Sequence, residues 1–196
     1  MAFNQRAHLR DNIDAIKTAF LLEKEQRAAT PEERMILEKY AGFGGIKAVL
    51  SPVGHPGDER YWTKSDLDLF PLVTELHEVL KEGAGNEAEY KCCVSSLKNS
   101  ILTAFYTPPE IVNTMVEALK EQNIVPTQFL DPSAGTGAFP FAFKQHFPQS
   151  ENTFFEKDLL TGKILSQLYP KDSIRTEGFE NIENRYSGRF DIAASN

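Results

Sequence analysis

The sequence predicts an α/β fold in its second half, preceded by a helical region. Up to about residue 102 the apolar residues recur at helical spacing, whereas short strand-like runs alternate with longer segments beyond it. These runs lie at 128–131, 152–156, 173–177 and 190–194, and about 20, 16 and 12 residues separate them. Such lengths fit crossover connections, so we expect about four parallel strands.

The predicted division gives a helical N-terminal region at residues 1–102 and an α/β part at residues 103–196. A chain of 196 residues is long enough for one domain of ordinary size with a helical appendage. Its hydrophobic content of 41% excludes a wholly disordered chain, because that content can build a core.

Two helices are expected at the start of the helical region. The first has its apolar residues on one stripe, formed by Leu9, Ile13, Ile16 and Phe20. The second begins at Thr30-Pro31, where Thr30 can cap the helix and Glu33 can close a capping box. Its apolar side is expected to consist of Met35, Ile36 and Tyr40.

Three glycines follow in Ala41–Gly45, and they suggest either a phosphate cradle or the end of a helix and a turn. The segment lacks the Lys-Ser/Thr pair of a P-loop, which favours the turn. Residues 51–64 are polar and rich in turn formers, and they predict a surface loop.

Two more helices are predicted before the α/β part begins. One runs from about Ser65 to Lys81 and is interrupted early by Pro71, and the other spans about Glu87 to Leu102. The apolar face of the earlier helix consists of Leu67, Phe70, Val73, Leu76 and Leu80.

The strongest local signal lies where the first predicted strand runs into a turn of small residues and then a helix. Gly135 and Gly137 would let the backbone approach a ligand closely, and the helix start offers free N–H groups. A dinucleotide-binding motif is one interpretation of these glycines, but it needs a third glycine at position 140. That position is Pro140, so the dinucleotide interpretation fails. About 19 residues after Gly137, Glu156 ends the next strand, where a carboxylate can accept hydrogen bonds from ribose hydroxyls.

These residues carry a resemblance to a known family. Asp131–Phe139 resembles the S-adenosylmethionine motif of the N6-adenine DNA methyltransferases, and Ala104–Val112 resembles the Tyr-Thr-Pro motif that precedes it in one subgroup. The N-terminal half, through Leu9–Ile13 and Tyr40–Gly45, is similar to the leader of large plasmid, phage and conjugative-element proteins. Those proteins fuse a DNA methylase to a helicase.

The resemblance implies a partial Rossmann-like S-adenosylmethionine-dependent methyltransferase fold and a role in DNA methylation, in a restriction-modification or mobile-element setting. The implied cofactor, S-adenosyl-L-methionine, would be bound by Tyr106, Thr107, Pro108, Asp131, Ser133, Ala134, Gly135, Gly137, Glu156 and Phe179. Thr107 would contact its methionine end, Asp131 its amino group and Glu156 its ribose. Because Lys157 stands where the family has an apolar residue, Phe179 is the better candidate for the neighbour of the adenine; burial in the core explains Phe179 equally well.

The catalytic motif of the family is Asn/Asp-Pro-Pro-aromatic after the fourth strand, where the amino group of an extruded adenine donates hydrogen bonds to the Asn. Phe190–Asn196 resembles that strand followed by its Asn, so Asn196 is the expected catalytic residue. The Pro-Pro-aromatic segment is absent from the 196 residues. We therefore expect this chain alone not to methylate DNA, and robust methyl transfer to plasmid adenines would contradict this.

Charge and composition limit the partners. The 21 basic and 28 acidic residues give a net charge of -7, so DNA is expected as a partner of the full-length parent, with weak or no binding by this chain. A helicase domain and self-association through an exposed sheet edge are the other partners considered. The sequence contains no run of about 20 apolar residues, so it predicts no membrane span. The adjacent Cys92 and Cys93 predict reduced thiols in the cytoplasm, and the four histidines show no metal-ligand spacing.

Two alternatives to a DNA methyltransferase stay open at this stage. One is a cofactor-sensing or helicase-interaction module without catalysis. The other is a methyltransferase that acts on a protein glutamine or an RNA base, since such relatives share the Asn-Pro-Pro-Tyr and glycine motifs.

Overall fold

The computed structural model describes residues 4–104 and 106–196, so residues 1–3 and Phe105 of the Tyr-Thr-Pro motif lie outside the described residues. The chain divides into two compact units, Met1–Ala104 and Phe105–Asn196. None of the helices in the described part of the chain combines the length and apolar character that a membrane span needs.

The regular secondary structure in the described part of the first unit consists of helices. Its α-helices are α1 (Gln5–Glu25), α2 (Pro31–Leu37), α3 (Phe70–Gly83) and α4 (Glu87–Thr103). In α1, Leu9, Ile13 and Ile16 are buried, as the predicted stripe requires. Asn4 caps this helix, since its side-chain oxygen accepts the Ala7 N–H at 3.1 Å.

The start of α2 confirms the predicted capping box, but its predicted apolar side is wrong. The Thr30 hydroxyl accepts the Glu33 N–H at 3.2 Å, and the Glu33 carboxylate accepts the Thr30 N–H at 2.8 Å. Met35 is 65% exposed, and the buried residue of the helix is Leu37. Tyr40 is buried, yet it lies beyond the end of the helix and therefore out of its register.

The glycine segment at residues 41–45 is a turn anchored on buried side chains. The Ala41 N–H donates to the Asn12 side chain at 3.0 Å, and the Phe43 N–H donates to the Ser100 hydroxyl at 2.8 Å. The Asn12 amide also donates to the Gly42 carbonyl. Two of the backbone N–H groups that a phosphate cradle would need are thus already used, which favours the turn interpretation.

The predicted surface loop at residues 51–64 contains a buried anchor. Trp62 is buried, its indole N–H donates to the Pro52 carbonyl at 2.9 Å, and its ring packs edge-on against Phe70. The loop is therefore held to the helices by one large aromatic side chain.

Pro71 lies in the first turn of α3, which agrees with the predicted early interruption. The three preceding residues, Leu67–Leu69, form a short 3-10 helix. Because Leu67 belongs to this separate turn, it is exposed, and its predicted place on the buried face is wrong. The helix predicted over residues 87–102 is confirmed as α4.

The second unit is a four-stranded sheet with helices between its strands, which confirms the α/β prediction. Its elements are α5 (Pro109–Glu121), β1 (Gln128–Asp131), α6 (Ala138–His146), β2 (Glu151–Phe155), α7 (Leu159–Leu168), β3 (Ser173–Arg175) and β4 (Ile192–Ala193). All strand pairs are parallel, and the order is β3-β2-β1-β4. In register, Asp131 lies beside Phe154 and Leu130 beside Ala193.

The core of this unit is built on aromatic residues of β1, β2 and α6. Phe129 is fully buried and stacks on Phe143, with ring centroids 3.6 Å apart and an interplanar angle of 3°. Phe154 meets Phe129 edge-on at 6.1 Å. This packing fixes β1 and β2, whose carboxyl ends carry the candidate site.

Candidate functional site

A tight turn leads from the end of β1 into α6. Gly135 and Gly137 both have positive φ angles, +53° and +94°, which L-residues with a side chain adopt at a cost. The Ala134 N–H donates to the Phe155 carbonyl at 2.8 Å. The turn is thereby fastened to the end of β2, beside the residue that follows that strand.

That residue is Glu156, and its carboxylate is held by backbone N–H groups. One oxygen accepts the Gly135 N–H at 2.8 Å, and the other accepts the Asp158 N–H at 2.7 Å. Glu156 is 9% exposed, and burial raises the pKa of its carboxyl, against the opposing effect of these hydrogen bonds. The structure thus brings together the glycine turn and the carboxylate that the sequence places at neighbouring strand ends.

Gly137 serves a different contact from Gly135. A Cβ atom at Gly137 would lie 2.9 Å from the Tyr169 ring and 3.0 Å from the Leu165 side chain. The Tyr169 hydroxyl also donates to the Gly137 carbonyl at 3.2 Å. The missing side chain at Gly137 therefore allows close packing of the turn against α7 and its C-terminal end.

Asp131 is fully buried at the end of β1 and only half satisfied. Its Oδ1 accepts the Ser133 N–H at 3.0 Å, and the Ser195 hydroxyl lies near the carboxylate. Its Oδ2 makes no hydrogen bond within 3.5 Å among the described residues. Burial raises the pKa of this carboxyl to about 7. An unpartnered buried carboxylate oxygen is a place where a cationic or hydrogen-bond-donating ligand gains most.

Tyr106 lies across the glycine turn. A Cβ atom at Gly135 would lie 2.8 Å from the Tyr106 ring, and the Tyr106 hydroxyl lies close to the Thr161 side chain. Burial, together with the nearby carboxylates of Glu156 and Asp158, raises the pKa of Tyr106. Gly135 is needed here because a side chain would collide with this ring.

The residues that follow β4 contact both the Tyr-Thr-Pro segment and the turn that follows β1. The Asn196 side-chain N–H donates to the Thr107 hydroxyl at 2.8 Å, and the Ser195 hydroxyl donates to the Ser133 carbonyl at 3.4 Å. Pro108 is exposed and precedes the first residue of α5. This hydrogen bond uses the amide nitrogen of Asn196 and not its side-chain oxygen.

Between these residues lies a small cleft of about 40 Å³. Its lining consists of Tyr106, Thr107, Ser133, Ala134, Gly135, Thr136, Ala138, Phe139 and Asn196. Pockets for small molecules and cofactors usually hold about 300–1,000 Å³. This cleft is therefore smaller than such pockets, and Asp131 and Glu156 are not among the residues that line it.

Phe179 does not line this cleft. It is 38% exposed and packs edge-on against Phe155 at 5.5 Å. Its neighbour Glu180 accepts a hydrogen bond from Lys157 at 2.6 Å. The Phe179 side chain thus lies on the β2 side of the sheet end, where a contact with an adenine stays a prediction.

Several residues of the site were not identified from the sequence, among them Asp158, Thr161 and Ser195. Asp158 caps α7 by accepting the Thr161 N–H and hydroxyl at 2.8 and 2.7 Å, and Ser195 contacts the glycine turn. An acidic residue three positions before Thr161 is a recognisable helix-start signal. The contact of Ser195, by contrast, joins residues 62 positions apart and has no local signal.

Comparison with protein-family models, with curated proteins and with solved structures found no match to this chain.

Proposed function

We propose that this chain is the S-adenosyl-L-methionine-binding part of a DNA adenine-N6 methyltransferase. One observation carries the proposal. The Gly135 N–H donates to the Glu156 carboxylate at 2.8 Å, at the carboxyl ends of two adjacent parallel strands. A glycine turn joined to a buried carboxylate at this place is suited to an adenosine ribose.

The strand order supports a partial Rossmann-like methyltransferase fold. The chain runs from β1 through β2 to β3 in one direction and then places β4 on the other side of β1. Ligands of open α/β sheets bind at such a reversal, outside the carboxyl ends of the strands. Asp131 ends β1 and Asn196 follows β4, the two strands that flank this reversal.

The residues present fit the chemistry of the proposed cofactor. When bound, S-adenosylmethionine supplies a methyl group on a positively charged sulfur. The unpartnered Oδ2 of Asp131 would accept a hydrogen bond from its ammonium group, and Glu156 would exchange backbone partners for ribose hydroxyls. The Asn196 side-chain oxygen would accept a hydrogen bond from the amino group of a target adenine, because its amide N–H groups face Thr107.

Calorimetric titration with S-adenosylhomocysteine tests the proposal without requiring methyl transfer. The wild-type chain is expected to bind, and Glu156→Gln is expected to weaken binding about tenfold or more. Glutamine loses the charge and one acceptor, and a hydrogen bond to a charged group contributes about 1.5–3 kcal/mol. Glu151→Gln is the matched control, since Glu151 is exposed at the opposite end of β2.

The control variant should bind as the wild type does, and circular dichroism should show both variants folded. The proposal would be overturned if millimolar S-adenosylhomocysteine produced no heat of binding with the wild-type chain. Equal affinities of the wild type and the Glu156 variant would do so as well. Parallel titrations with NAD and ATP identify a different nucleotide ligand if one is preferred.

A further inference from the structure

We propose that the Tyr106 side chain is a gate over the cofactor site, which must swing away from Gly135 and Thr161 before a nucleoside can enter. This inference rests on the proposed cofactor-binding function and adds a conformational step to it. The motif resemblance implies a different role for Tyr106, that of a wall which contacts the bound cofactor, and the two roles predict opposite results.

The position of the ring is the first argument. Tyr106 lies so close to Gly135 that a single methyl group there would be 2.8 Å from its Cε1 atom. Its hydroxyl reaches the first turn of α7 at Thr161, so the side chain spans the gap between the glycine turn and α7. The Glu156 carboxylate, which would hold the ribose, lies close enough to interact electrostatically with this side chain.

The available space is the second argument. About 40 Å³ is open beside Tyr106, Thr107 and Gly135, far less than a nucleoside cofactor occupies. The Gly135 N–H and the Glu156 carboxylate are bonded to each other. Glu156 does not itself line the cleft, so a ligand that reaches its carboxylate from there needs more space, and the Tyr106 ring is the side chain that lies against Gly135.

The third argument is the place of Tyr106 in the chain. It lies outside the helices and strands, between the end of α4 and the start of α5, and it is half-buried. Rotation of the side chain would move its ring away from Gly135 and its hydroxyl away from Thr161 without disturbing a helix or a strand. The closed state then lowers the apparent affinity by the fraction of molecules that are open.

Stopped-flow association and calorimetry with S-adenosylhomocysteine test the gate on the full chain. Tyr106→Phe keeps the ring and removes the hydroxyl beside Thr161, and Tyr106→Ala removes the ring as well. We expect the association rate to rise by about two- to tenfold in the Phe variant, the range that one polar interaction allows, and further in the Ala variant. Tyr61→Ala, at an exposed tyrosine of the first unit, is the control and should bind at the wild-type rate.

The outcomes separate this inference from the proposed function. Slower or weaker binding by Tyr106→Ala, with the wild type binding well, would overturn the gate and support the wall role while leaving cofactor binding intact. An unchanged association rate in both Tyr106 variants would also overturn the gate. If neither the wild type nor any variant, including Tyr106→Ala, binds S-adenosylhomocysteine, both proposals are overturned.

Discussion

Asp131 is the single residue whose chemistry most distinguishes the site from an ordinary sheet end. Its burial raises the pKa to about 7 from the unfolded value of 3.8. Between these pH values the folded chain binds more protons than the unfolded chain, so the free energy of unfolding falls as the pH rises from about 4 to about 7. The ionised Asp131 therefore opposes folding, which is a common property of groups kept for binding.

Asp131→Asn is expected to raise the free energy of unfolding of the second unit at pH 8 by about 1–3 kcal/mol and to flatten its decline with pH. The Asn oxygen can still accept the Ser133 N–H. Denaturant titrations at pH 5 and pH 8 measure the effect. Asp191→Asn is the contrasting variant: N–H groups of Thr127 and Gln128 lower the Asp191 pKa, so its loss should lower stability at neutral pH. A steeper decline with pH in Asp131→Asn would contradict the assignment.

At the scale of elements, α6 is held to the sheet by one aromatic stack. Phe143 is buried against Phe129, and we expect Phe143→Ala to destabilise the second unit by about 3–5 kcal/mol. Phe141→Ala is the matched control on the same helix, because Phe141 is 49% exposed and its loss should cost about 0.5 kcal/mol or less.

Hydrogen exchange of β1 amides, followed by mass spectrometry, measures the local effect of these variants. Trp62, the single tryptophan, reports on the first unit by fluorescence. Faster β1 exchange in Phe141→Ala than in Phe143→Ala would show that the stack is not what holds the helix.

The elements also show what a sequence can predict. The strands of the second unit were predictable because each is a short strand-like run that alternates with a longer segment, and the Thr30 capping box because its signal is local. The buried face of α2 was not predictable in the same way. The helix ends at Leu37, so Tyr40 is buried outside the helical register that the prediction assumed. In the site, the turn and Glu156 were predictable from spacing. The bond between Thr107 and Asn196 was not, because it joins residues 89 positions apart.

At the scale of the whole molecule, both units are acidic. The first carries 13 basic against 16 acidic residues and the second 8 against 12, which together give the net charge of -7. Nucleic-acid binding without sequence preference depends on phosphate neutralisation by Lys and Arg. From these charges we expect neither unit to have a general affinity for DNA, although DNA is the proposed substrate.

We expect the chain to bind a labelled DNA duplex no more tightly than about 10⁻⁴ to 10⁻⁶ M at physiological salt, the range of non-specific binding. Fluorescence anisotropy with and without S-adenosylhomocysteine measures this, and a titration at low salt shows how much of any binding is electrostatic. Sub-micromolar binding at physiological salt would contradict the prediction and point to a basic surface that the overall charge conceals. Weak binding would mean that the proposed function of these 196 residues is the binding of the cofactor and that they do not select the target DNA by themselves.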